Sequence, residues 1–148
     1  MAVKGGDKFE KYMEGMRERL NRPGSQVRVG FLSRAKYPDG KPVAMIAAIQ
    51  NWGAPRAGIP PRPFFSNMIA AKGPEWPAAI ATQLRLNDYD RRATLLCVGE
   101  GVAGQLRQSV IDTNRPPLAE STIARKGFSK PLVETGHMLN SIDYEIVE

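Results

Sequence analysis

Gly99, Gly101 and Gly104 stand in the G-x-G-x-x-G spacing by which a strand-to-helix turn brings its backbone against a pyrophosphate. An apolar run, Leu95, Leu96, Cys97 and Val98, precedes them, and a helical pattern follows. A dinucleotide turn is therefore the first chemistry to weigh. Such a crossover also needs a second hydrophobic strand after its helix and an acidic residue about twenty positions on. After Ile111 the chain instead reads Asp112-Thr113-Asn114-Arg115-Pro116-Pro117, and that strand is missing. The glycines read better as places where a helix lies close to a neighbouring backbone.

No other residues assemble a reaction centre. His137 is the single histidine, and one imidazole with no nearby Cys or second His cannot close a metal site. The serines lack the G-x-S-x-G elbow of a nucleophile. Glu75, Asp88, Asp90, Glu100, Asp112, Glu120, Glu134 and Asp143 show no spacing that marks a working carboxylate pair. We expect no enzyme, no cofactor and no metal. Cys97 is the one cysteine, so it cannot form an internal disulfide, and its apolar neighbours predict a small buried thiol.

Twenty-one Lys and Arg against fifteen Asp and Glu give a net charge of +6, a modest attraction for phosphate. The basic residues are scattered from Arg17 to Lys130 without a basic run or interleaved aromatics. A basic nucleic-acid-binding module is the alternative reading that this charge keeps open. No stretch of about 18 uncharged apolar residues and no signal-peptide pattern is visible, so the chain is expected to be soluble.

The elements that would position a site follow from periodicity. In residues 7–20, Phe9, Tyr12, Met13, Met16 and Leu20 recur three or four apart, the stripe of an amphipathic helix with Asp7 as its N-cap and Pro23-Gly24 as its stop. Residues 26–32 alternate, with Val27, Val29 and Phe31 on one face, and residues 142–147 do the same with Ile142, Tyr144 and Ile146. Residues 43–52 are apolar almost all round and predict a helix buried on most sides, ended by Gly53. Further helices are expected over 64–71, 75–86 and 90–111, with brief ones after Ser121 and after Gly136. The fold class is α+β, one domain over 1–148, with a small, mainly antiparallel sheet from 26–32 and 142–147 packed against the helices.

Two segments, 37–42 and 54–63, carry turn or proline chemistry and are expected as extended loops. The second leads through Pro60, Pro61, Arg62 and Pro63 into Phe64 and Phe65, a stiff stem before two large rings. These six residues and Trp52 are the candidates for contact with a partner; Trp52 and Trp76 are expected in a core or an interface.

Three stretches, in order and spacing, resemble a family of tailed-bacteriophage morphogenesis proteins, the HK97 gp10-like, virion morphogenesis and tail-completion group. They are Val43-Ala44-Met45-Ile46-Ala47-Ala48-Ile49-Gln50-Asn51-Trp52-Gly53, then Ile59-Pro60-Pro61-Arg62-Pro63-Phe64-Phe65, then Ser121 to Gly127 with Lys130-Pro131-Leu132-Val133-Glu134-Thr135-Gly136-His137-Met138-Leu139-Asn140-Ser141-Ile142. Gln50-Asn51 stands where an acidic residue is common in the family. The resemblance implies a non-enzymatic virion protein at the head-tail junction that completes or caps the tail or connects it to the head. It implies a homo-oligomeric ring beside portal-adaptor, tail-terminator or tail-tube proteins, with DNA passing nearby and no membrane. On that reading the segments 37–42 and 54–63 order on assembly.

Overall fold

The computed structural model of the protein describes residues 6–21, 24–113 and 136–148. In chain order they form α1 (Gly6–Leu20), β1 (Gln26–Phe31), α2 (Val43–Trp52), α3 (Phe64–Lys72), α4 (Trp76–Leu86), α5 (Arg91–Asp112), α6 (His137–Asn140) and β2 (Ile142–Val147). The expected α+β class holds. The turn at 114–117, the helix after Ser121 and most of the third family-like stretch lie outside the described residues.

The period-two segments pair as their alternation requires. β1 and β2 run antiparallel, with Val27 opposite Ile146, Val29 opposite Tyr144 and Phe31 opposite Ile142. These apolar pairs share one face, because opposite residues in an antiparallel register point the same way. Across that face lies α5, started by Asp90, whose carboxylate accepts from the amide of Ala93 at 3.0 Å. The approach is closest at Gly99, where an added Cβ would stand 2.6 Å from Tyr144 Cδ2 and 2.9 Å from Val27 Cγ2. Side chains of the sheet, rather than the backbone expected from the glycine spacing, press against the helix there.

Phe64, Leu106, Val43 and Val110 are fully buried and hold α2, α3 and α5 together. The Phe64 ring meets Phe31 edge-on with centroids 6.1 Å apart, and the Ser109 hydroxyl donates to the Phe64 carbonyl at 2.6 Å. Trp76 opens α4, half-buried against this core, and its indole N–H donates to Gln105 Oε1 at 2.8 Å. The His137 ring lies 4.9 Å from that of Tyr37, and its Nε2 donates to the Lys36 carbonyl at 2.7 Å.

Four expectations need correction. Cys97 is exposed, not buried, because it precedes Gly99 by two residues and so faces about 200° away around the helix. α2 buries only Val43, Ala47 and Asn51, one stripe at four-residue spacing, and leaves Met45 47 % and Trp52 70 % exposed. Asp7 is not the cap of α1, which already includes Gly6. The two loops are closed rather than extended: bridges join Lys36 to Pro42 and Ala54 to Ile59.

Candidate partner interface

α2 has no charged residue, and its last turn, Gln50, Asn51 and Trp52, organises everything that follows. Gly53 stops the helix with φ of 76°, in the left-handed region, and only glycine fits: a Cβ would lie 2.8 Å from the Ile59 carbonyl and the Pro61 nitrogen. The chain then makes one turn of 3-10 helix, Pro55–Ala57, and comes back. Ala54 donates to the Ile59 carbonyl at 2.8 Å, and Ile59 donates to Ala54 at 3.1 Å. The prolines stiffen a loop that these bonds have already closed.

Its return leg is fixed to α2 by two polar side chains. The Arg62 amide donates to the Gln50 carbonyl at 2.7 Å, and Arg62 Nη1 donates to Gln50 Oε1 at 3.2 Å. Asn51 Oδ1 accepts from the amides of Phe65 at 3.0 Å and Ser66 at 3.1 Å, while Nδ2 donates to the Ser66 hydroxyl at 2.9 Å. α3 follows Pro63, which has no side chain able to cap, so Asn51 satisfies the first amides of the helix from fifteen residues away. Arg62 is only 6 % exposed, and that burial lowers the pKa of its guanidinium.

The contact candidates therefore divide. Trp52, Pro60 and Pro61 are exposed, Pro63 and Phe65 are half-buried, and Arg62 and Phe64 are buried and act within the fold. Arg62 and Phe64 are thus corrected from partner contacts to internal supports. Phe65 stands edge-on to Phe64 at 6.4 Å and leans over β1, where a Cβ at Gly30 would touch its ring at 3.6 Å. Between β1 and α2 runs an open apolar groove of about 270 Å³ lined by Gly30, Phe31, Ala44, Ala48, Trp52 and Phe65. The second edge of β1, beside this groove, carries no strand among the described residues. Sequence reasoning noted Gln50 and Asn51 only as a departure from the resembled family's pattern and gave Ala44 and Ala48 no role. The available signal was an uncharged helix closing on a polar pair before Trp-Gly.

Other features offer less. A hollow of about 960 Å³ between the end of α1 and the turn into α5 holds charges that are already paired, Arg19 with Asp88 and Arg92 with Glu148. Among the described residues no group of three His, Cys, Asp or Glu side chains could hold a metal ion. Gly99, Gly101 and Gly104 all lie inside α5 and form no phosphate-binding turn. Comparison with protein-family models, with curated proteins and with solved structures finds no match for this chain.

Proposed function

We propose that the protein is a structural subunit at the head-tail junction of a tailed bacteriophage, completing or capping the tail or joining it to the head within a ring around the DNA channel. One observation carries this reading: two of the stretches that resemble the family, 43–53 and 59–65, form a single unit locked by Gln50 and Asn51. The two stretches thereby serve one surface, with Trp52 70 % exposed and Pro60 and Pro61 exposed as well.

A surface built this way binds by shape. Its loop is already closed, so a partner need not pay for ordering it, and a large rigid indole is the side chain best suited to anchor a contact. This replaces the expectation that the segment 54–63 orders on assembly. The basic residues are scattered along the chain, and Arg19, Arg34, Arg92 and Arg107 are in ion pairs, so on this reading DNA in the channel feels a diffuse, salt-sensitive attraction.

The test is Trp52→Ala in a phage genome carrying this gene. The purified variant is expected to keep its unfolding midpoint, because the ring is mostly in solvent, while unjoined heads and tails accumulate and infectious titre falls at least tenfold. Normal virions, or mature particles lacking the protein, overturn the proposal. Tight binding to short duplex DNA that weakens steeply with salt would favour the nucleic-acid alternative.

A further inference from the structure

α1 is an amphipathic helix whose apolar stripe is left exposed, with no other described element packed over it. It has no buried residue, and Phe9, Tyr12, Met13 and Leu20 are 65 %, 50 %, 45 % and 43 % exposed. It is tied to the body of the protein at its last turn, where Arg19 donates to the Asp88 carbonyl at 2.9 Å and Arg91 donates to the Leu20 carbonyl at 3.3 Å. A shallow groove of about 580 Å³ runs along the free side, lined by Glu10, Met13, Glu14, Met16, Arg17 and Leu20 with the adjoining Asn21. Among the described residues, that lining belongs to α1 and the residue after it.

The stripe has the spacing of a coiled-coil seam. Phe9, Met13, Met16 and Leu20 are separated by four, three and four residues, the d-a-d-a order of two heptads. Glu10 and Arg17 then both occupy e positions on one flank. In an antiparallel pair e faces e, so stacking Phe9 on the partner's Leu20 and Met13 on its Met16 brings Glu10 of each copy against Arg17 of the other. Two symmetry-related ion pairs result. In a parallel pair e faces g, which sets Arg17 against Tyr12, and the opposite charges do not meet. Among the described residues neither Glu10 nor Arg17 makes an ion pair within its own chain. The attachment of α1 at its last turn favours the same arrangement, since antiparallel helices put the two bodies at opposite ends and parallel helices crowd them together.

We infer that the free protein forms a two-fold symmetric dimer through antiparallel pairing of α1 with α1 of a second copy. Such a contact is isologous and closes on itself, so it is independent of the head-tail reading and describes the subunit on its own. Half the circumference of a cylinder about 11 Å across and about 22 Å long is roughly 400 Å². That is half of the ~800 Å² per partner in a standard interface, which makes the dimer weak and concentration-dependent.

Sedimentation of the full-length protein over a range of concentrations tests this. The wild type is expected to pass from monomer to dimer. Glu10→Arg sets arginine against arginine and Arg17→Glu sets glutamate against glutamate, so each weakens association by about tenfold through repulsion at two symmetric sites. The double variant E10R/R17E restores the pair with its sign reversed and is expected to recover wild-type association. Both positions are exposed on an already formed helix, and circular dichroism is expected to show each variant folded. A wild type that stays monomeric throughout, a double variant that does not recover, or a monomer that instead binds anionic vesicles through this stripe overturns the inference.

Discussion

Asn51 caps a helix, α3, that begins only at Phe64: its side chain accepts from the amide of Ser66 at 3.1 Å and donates to the hydroxyl of the same residue at 2.9 Å. The contact couples α2 to α3 and aligns the proline loop between them. Asn51→Leu would leave the amides of Phe65 and Ser66 unpaired in a site where residue 51 is 2 % exposed. The expected loss is about 2–4 kcal/mol, read as a lower urea midpoint. Asn51→Asp keeps both acceptor bonds, can take a proton bond from Ser66, and places negative charge at a helix N-terminus. Its desolvation is thereby largely offset, and its cost should be about 1 kcal/mol or less.

The outer face of the sheet supplies a pH dependence. Asp143 accepts from the Tyr144 amide and pairs with the Arg34 guanidinium, which together hold its pKa below the ordinary 3.8. A carboxylate with a depressed folded pKa stabilises the protein above the unfolded value and loses that contribution as the pH falls through the folded one. Asp143→Asn is therefore expected to lower stability slightly near neutrality and to flatten the acid side of the stability profile. Because Asp143 and Arg34 are 50 % and 61 % exposed, solvent screening limits the effect to about 0.5 kcal/mol. Urea midpoints of both proteins across the acid range measure it.

The strands and most helices were legible because their signals are local: alternation in β1 and β2, and helical spacing through α3, α4 and α5. What escaped was set by contacts distant in sequence. Apolar composition all round α2 cannot distinguish a helix enclosed by the core from one that lines an open groove, as the exposure of Met45 and Trp52 shows. Closure of the loop 54–63 depends on the bond from Arg62 to Gln50 and on the space denied at Gly53, neither visible in proline content. Asn51 looked like the end of a helix, and its partners, fifteen residues on, were not identifiable by spacing. Phe64 and Phe65 are adjacent and chemically alike, yet the turn into α3 sends one into the core and the other over β1.

Cys97 gives a simple check on the orientation of α5. Its thiol is exposed on the side of the helix away from the sheet, so the folded protein is expected to react fully with a thiol reagent before any denaturant is added. Reaction only after unfolding would mean that this side of α5 is covered and that the helix is turned from its described position.

The three glycines of α5 separate a packing requirement from a nucleotide site. Gly99 is buried, and a methyl group there would collide with Tyr144 and Val27, whereas nothing lies within 4 Å of a Cβ added at Gly101 or Gly104. Gly99→Ala should therefore cost about 1–3 kcal/mol through overpacking. Gly101→Ala and Gly104→Ala should each add about 0.5–1 kcal/mol, because alanine is the better residue inside a helix. A phosphate-binding turn predicts a different pattern, since there all three glycines serve the ligand. Inside α5 the backbone amides are already donating to carbonyls four residues back, leaving none to hold a pyrophosphate. NAD at millimolar concentration is accordingly expected to leave the unfolding temperature of the wild type unchanged, and a dose-dependent rise would contradict this account of the glycines.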